Sequence, residues 1–202
     1  MAASLDGPVS RHLNRRVSVP VAAALARTPA TPNQVSVLAL LVACAAALLL
    51  VAGRNVEAAI LIQASSIVDG VDGDLARAKG MATRFGGVFD AVLDRHADAA
   101  IAAGMAAWAA SHEGWPAPAA VGFAVAVGFL LVSYSRARIE TEGGRDAASE
   151  LLGVASRDVR LLALAIGVAA GQCWWALVLV GGLSYATVAW RLWRLRGMRG
   201  AA

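Results

Sequence analysis

Two short runs of the chain hold acidic groups at spacings that let them act together. The first is Asp69-Gly-Val-Asp72-Gly73-Asp74-Leu-Ala76-Arg77. After eight further residues Gly86 opens the second, followed by Asp90, Asp94 and Asp98. On a helix, Asp69, Asp72, Gly73 and Ala76 fall at i, i+3, i+4 and i+7 and share one face, while Asp74 points elsewhere and reads as a solvated helix end. Gly86, Asp90, Asp94 and Asp98, spaced by four, form a slowly drifting stripe. Carboxylates gathered in apolar surroundings cost on the order of several kcal/mol each if left unpaired. Protonation relieves that cost, and so do divalent cations. All-oxygen donors favour hard ions such as Mg²⁺ or Mn²⁺ over Zn²⁺. Two such ions would clamp a pyrophosphate and stabilise charge on both sides of a displacement at phosphorus. Gly73 and Gly86 leave room on the same faces for a nucleotide to approach the backbone.

The elements that must position these residues are helices in a membrane. Of 202 residues, 58% are hydrophobic and only 16% are charged, and the mean hydropathy is +0.62. An average soluble domain is nearer a quarter charged. The apolar residues come in blocks, at 35–52, from 56 into the first acidic run, 86–110, 115–134 and 161–190. The last block is 30 residues without a charge, longer than the roughly 20 one span needs. Gly171-Gln172 near its middle predicts a tight turn and two spans. The short turn between the acidic runs makes their helices antiparallel neighbours with their acidic faces meeting.

Charge placement orients the bundle. Sixteen of the 18 Lys and Arg lie in the N-terminal segment, residues 77–84, residues 136–160 and the tail after Trp190. Six spans put all four segments on one side, which the positive-inside rule makes cytoplasmic. The expected fold is therefore all-α and integral to the membrane, with six transmembrane helices over residues 34–195. Residues 1–33 form a lead-in in which 8–26 mix basic and apolar residues as an interfacial amphipathic helix does. One domain covers residues 1–202, with no cleavable signal peptide. The net charge of +4 is spread over short loops beside anionic lipid, and nucleic acid is not an expected partner. Cys44 and Cys173 sit in apolar runs and read as packing residues. Asn33, just before the first span, is a candidate helix cap.

The eight fixed positions Asp69-x-x-Asp72-Gly73-x-x-Ala76-Arg77, eight residues, Gly86-x-x-x-Asp90-x-x-x-Asp94 resemble the complete signature of the CDP-alcohol phosphotransferase family. The resemblance implies that Asp69, Asp72, Asp90 and Asp94 hold two Mg²⁺ or Mn²⁺ ions and that Asp94 takes the acceptor hydroxyl's proton. It further implies that Gly73, Arg77 and Gly86 line the CDP site, with Thr83 and Asn33 nearby, and that the enzyme is a homodimer in the inner (plasma) membrane. Both termini and the active site would then be cytoplasmic. His96, beside the stripe, reads as packing or as support for the metal ligands.

Ser133-Tyr-Ser-Arg136-Ala-Arg138 ends the fourth span. Arg136 and Arg138, with Arg157 and Arg160 at the next helix entry, suit a phosphate group; alternatively they anchor the helix as positive-inside charges. The pattern resembles the acceptor-phosphate site of phosphatidylinositol-phosphate synthases, with Arg136 where Lys is usual, and marks Ser133, Arg136 and Arg138 as acceptor residues. The words flanking the aspartates resemble the membrane domain of di-myo-inositol phosphate phosphate synthases. Those enzymes often carry a fused cytidylyltransferase domain, for which 202 residues leave no room. The expected reaction is attack of an acceptor hydroxyl, on inositol phosphate or a similar phosphorylated polyol, upon CDP-inositol or CDP-diacylglycerol with release of CMP. A phosphatidylglycerophosphate-type synthase is an alternative, as are an ion or proton transporter using buried aspartates and a catalytically inactive lipid-binding relative.

Overall fold

The computed structural model describes residues 7–112 and 117–198, and among these there are helices and no strands. A five-residue π-helical segment, Ser10–Asn14, leads into α1 (Arg15–Leu25). Then follow α2 (Pro32–Val51), α3 (Asn55–Ala78), α4 (Arg84–His112), α5 (Pro118–Glu150), α6 (Arg157–Ala169) and α7 (Cys173–Met198).

Helix α2 is the support on which the acidic helices are built. It is apolar on nearly every side, and Ala39, Ala43, Ala46 and Leu50 are buried along one stripe. Ala58, Ala59 and Ile62 of α3 share its core, as do Ala97, Ile101, Ala102 and Met105 of α4. Small residues let backbones approach without a driving force from water. A Cβ on Gly104 of α4 would lie 2.8 Å from Ala47 Cα. Helix α2 thus packs against both α3 and α4, α6 packs on α3, and α5 packs on α4 and α7. The pairings Asp69 with Asp94 and Asp72 with Asp90 run in opposite chain directions, so α3 and α4 are antiparallel. They meet through these side chains at the site, while α2 supplies their close packing.

Among the described residues, three helical stretches are long and apolar enough to cross a membrane: Pro32–Val51, Pro118–Gly144 and Cys173–Gly197. Helices α3 and α4 have 24 and 29 residues, or roughly 36 and 43 Å at 1.5 Å per residue. Helix α6 has only 13, about 20 Å, short of the ~30 Å hydrocarbon thickness.

One expected boundary is found and several others differ. The turn at Gly171 is present, with φ +71°, because the chain must reverse between α6 and α7 and only glycine adopts that angle freely. Helix α5 does not end near Tyr134 but runs on to Glu150, kinked at Gly144 (φ 80°, ψ 176°). Asn33 is not the cap of α2: Thr31 is, in a reciprocal capping box with Gln34, which leaves Asn33 inside the first turn. Trp115, at the expected start of the fourth span, lies outside the described residues. The N-terminal helix does not stand apart from the bundle. Asn14, Ser18 and Ala22 are buried where α1 packs on α3, and Asn14 Nδ2 donates to Ser66 Oγ at 3.0 Å.

Candidate active site

Three aspartates converge where α3 faces α4. One carboxylate oxygen from each of Asp69, Asp90 and Asp94 lies within 4.8 Å of the other two. Asp72 stands one turn along. It is buried, accepts a hydrogen bond from Ser36 Oγ of α2 at 2.5 Å, and lies within hydrogen-bond reach of Asp90. The helical spacing read from the sequence thus brings all four into contiguous reach, with Asp72 at the edge.

Protonation and cations each relieve this crowding, and the structure adds a third way. Arg157, from the first turn of α6, places Nη1 2.6 Å from Asp69 Oδ2 and 3.0 Å from Asp94 Oδ1, and its Nε 3.1 Å from Asp98 Oδ1. Arg95 Nη2 adds a contact to Asp94 Oδ2 at 3.2 Å, so two guanidiniums, both shared with Asp98, face Asp69, Asp72, Asp90 and Asp94 and leave part of their negative charge uncompensated. The donor set is all carboxylate oxygen, which fits a hard divalent cation. Asp98 continues the stripe in spacing but not in role. It is 3% exposed and encircled by arginines, with Arg160 Nη2 at 2.9 Å and Arg95 Nη1 at 3.5 Å besides Arg157.

Two cavities flank the carboxylates. The smaller, about 180 Å³, is lined by Asn33, Ser36, Asp72, Gly73, Arg77, Thr83, Gly86 and Asp90. All five residues expected around CDP therefore meet in one place. A Cβ on Gly86 would lie 3.1 Å from Thr83 Oγ1 and 3.5 Å from Asn33 Oδ1, so its missing side chain keeps this corner open. Thr83 Oγ1 accepts from Gly86 N at 3.0 Å and fastens the start of α4. Arg77 is exposed and pairs with Asp74 at 2.5 Å. Asp74 is not the solvated helix end expected of it: Ser18 Oγ of α1 donates to it at 2.9 Å, because α1 docks over that face of α3.

The larger cavity, about 770 Å³, is lined by Asp69, Asp90, Asp94, Arg95, Ser133, Arg136, Ser156, Arg157, Arg160 and Arg191, among others. Asp90 and Gly87 border both cavities. The arginines expected on the acceptor side divide into groups. Arg136 lines the wall. Arg160 is 1% exposed, lies 4.6 Å over the Phe129 ring and is bonded to Asp98. Arg138 does not line the cavity; it is exposed and paired with Glu142 one turn on. The Ser133 hydroxyl accepts from Arg95 Nη1 at 2.5 Å and donates to Phe129 O at 3.2 Å. His96 is exposed at the cavity edge, with Nδ1 2.9 Å from Val92 O, so it is not a packing residue.

Three features of this cavity went unread in the sequence. Arg191 of α7, read only as part of a basic tail, is 1% exposed. It donates to the carbonyls of Leu151, Leu152 and Val132 and to Ser135 Oγ. Asp158 Oδ2 accepts from Ser10 N at 2.6 Å and ties the N-terminal segment across the cavity mouth. Ser156 precedes α6 without capping it, and its buried Oγ has no hydrogen-bond partner. An arginine at the end of an uncharged run, and a serine before Arg-Asp-x-Arg, were the only local signals.

Residues 29–193 match the CDP-alcohol phosphatidyltransferase family. The chain is 46% identical over 196 residues to a bifunctional IPC transferase and DIPP synthase of Rubrobacter xylanophilus, covering 96% of this chain and 44% of that protein. The chain thus spans less than half the length of that relative. It is 32% identical over 202 residues to a phosphatidylinositol phosphate synthase of Mycobacteroides abscessus, covering 98% of this chain and 91% of the relative. Among solved structures, Mycobacterium tuberculosis phosphatidylinositol phosphate synthase with CDP-DAG bound superposes with a TM-score of 0.73 at 28% identity, covering 88% of this chain and 92% of that one. The same enzyme in complex with manganese and citrate also gives 0.73, at 28% identity with 87% of each chain covered.

Proposed function

Because the chain belongs to the CDP-alcohol phosphatidyltransferase family, we propose that it transfers a phospho-alcohol group from a CDP-alcohol to a phosphorylated polyol, inositol phosphate or a close analogue. The donor is CDP-inositol or CDP-diacylglycerol. The observation that carries this reading is the meeting of the two cavities at Asp90, with the carboxylates between them.

The smaller cavity takes the CDP end. Its glycines admit a nucleotide against the backbone, and Asn33, Arg77 and Thr83 offer polar contacts. The larger cavity takes the acceptor, its phosphate toward Arg136, Arg157 and Arg160 and the Ser156 hydroxyl, its reacting hydroxyl toward Asp94. Asp69, Asp72, Asp90 and Asp94 would hold two Mg²⁺ or Mn²⁺ ions, which screen the pyrophosphate and stabilise the departing phosphate. Asp94 accepts the proton of the acceptor hydroxyl as its oxygen bonds to the β-phosphorus. The bond from that phosphorus to the bridging oxygen breaks, and CMP leaves with the electron pair.

In this reading α2 to α7 form a six-helix bundle in the inner membrane with both termini cytoplasmic, α1 lies at the interface, and the protein works as a homodimer. Helix α6, being short, begins below the cytoplasmic surface. The irregular residues 151–156 before it are tolerated at that depth because they line a polar cavity.

Release of CMP from a panel of CDP-alcohols, with and without inositol phosphate, tests the function. CMP formation should require a CDP-alcohol, a phosphorylated acceptor and a divalent ion together. Equal use of an unphosphorylated polyol, or full turnover in excess EDTA, would refute it.

A further inference from the structure

Arg157 serves two masters. Its Nη1 reaches Asp69 and Asp94 at 2.6 and 3.0 Å, while its Nε is held by Asp98 at 3.1 Å. The same guanidinium therefore lies between the carboxylates proposed to bind cations and a carboxylate that is not part of that set. Asp98 is 3% exposed, and its other partners, Arg160 and Arg95, also border the acceptor cavity. A guanidinium and a divalent cation compete for the same oxygens of Asp69 and Asp94. Whatever draws Arg157 away from them favours the cation, and whatever frees it to move toward them favours the arginine. Asp98 engages Nε, a different nitrogen from the one that meets those oxygens, so its attraction competes with theirs for the guanidinium.

We propose that Asp98 is a positioning residue that competes with Asp69 and Asp94 for Arg157, weakening its hold on those carboxylates so that divalent cations can displace it and leaving the guanidinium available to the acceptor's phosphate. The inference rests on the reading that Asp69, Asp90 and Asp94 bind cations. Asp98 makes no contact with the reacting atoms; it acts through Arg157. Arg160, 1% exposed and stacked on Phe129, stays fixed as the second partner of Asp98 and anchors the carboxylate from behind.

The test is direct Mn²⁺ binding to the full chain in detergent or nanodiscs, read by the electron paramagnetic resonance signal of free Mn²⁺. Wild type, Asp98→Asn, Arg157→Gln and the double variant are compared. Contacting charged residues couple strongly enough that Asp98→Asn should weaken Mn²⁺ binding by at least about fivefold. Arg157→Gln should tighten it, and in that background the loss of Asp98 should cost less than it does in wild type, because the bridging arginine that remains is Arg95, which reaches Asp94 Oδ2 at 3.2 Å. A purely structural role for Asp98 would instead weaken binding equally in both backgrounds, which overturns the proposal. So does an Arg157→Gln variant that binds Mn²⁺ no more tightly than wild type. That single variant suffices if Asp98→Asn does not fold, since Asp98 keeps Arg160 and Arg95 as partners. Wild type that binds no Mn²⁺ would refute the underlying cation site, a distinct outcome.

Discussion

The two cavities on either side of the aspartates are built by different means. The smaller draws its lining from the first turn of α2, the end of α3 and the start of α4, a contiguous third of the chain, and its shape depends on two glycines and short polar side chains. The larger is assembled from α3, α4, α5, α6, α7 and the N-terminal segment, and its character is set by arginines that hold one another in place through Asp98 and backbone carbonyls. In the proposed reading the nucleotide goes to the local, sterically defined pocket. The proposed acceptor goes to the cavity made of converging helix ends, which can be retuned one side chain at a time. The difference predicts that substitutions on the two sides will separate cleanly in their effects on the two substrates.

The largest effect belongs to the boundary between them. Asp94→Asn should lower kcat by about two to four decades while some CDP binding persists, because its added role is at the acceptor hydroxyl; Asp69→Asn should weaken both. Isothermal titration with CDP alongside single-turnover CMP release checks this, and near wild-type turnover would remove Asp94 from the role of base. Next is Arg136→Ala on the acceptor wall, which should raise the acceptor KM by about tenfold or more, the range expected for a charge-assisted contact in a desolvated site. The donor KM should stay within about twofold. If both constants rise together, the two cavities are not the separate compartments their linings describe. A smaller effect is expected of Ser156→Ala, whose hydroxyl lacks a partner. Loss of one hydrogen bond to a charged group should raise the acceptor KM about three- to tenfold without changing Mn²⁺ affinity. An unchanged KM would mean that the hydroxyl never meets the acceptor.

The same contrast explains what could be read from the sequence. Asp69, Asp72, Asp90 and Asp94 lie on two helices joined by a five-residue turn, so helical periodicity and turn length were enough to bring them together. Gly171 could be read as a turn because a 30-residue uncharged run had to break somewhere. Arg157 could be marked as a phosphate-seeking residue but not as a partner of Asp69 and Asp94, since that depends on how α6 docks against α3. Asp74 illustrates the same limit: its side chain leaves the shared face, yet the docking of α1 covers it, and no periodicity within α3 encodes that. Arg191 was hidden because an arginine just past an apolar run reads as an anchor, and only the packing of α7 against α5 and the loop before α6 turns it inward. Asn33 and Thr31 both have capping chemistry, and the Gln three residues after Thr31 favours the threonine through a reciprocal pair.

The smallest effect is the most pointed test of how the acceptor side is drawn. In the Ser-Tyr-Ser-Arg136-Ala-Arg138 run both arginines look equivalent, and as a sequence pattern both were assigned to the acceptor. On α5 they are two positions apart, about 200° around a helix of 3.6 residues per turn. They therefore cannot serve the same cavity while the helix stays intact, which it does as far as the kink at Gly144. Arg136 borders the cavity with Ser133, Ala137 and Glu140, and Arg138 stands on the other side, 56% exposed and paired with Glu142. An exposed pair of this kind contributes roughly 0–1 kcal/mol, and its loss places no unpaired charge in an apolar site. Arg138→Ala should therefore change the acceptor KM by less than about twofold and leave the donor KM alone, with an effect on yield in the membrane if the charge anchors the helix. A tenfold rise in acceptor KM for Arg138→Ala, equal to that for Arg136→Ala, would mean that α5 rotates or unwinds when the acceptor binds, and the division between the two arginines would fail.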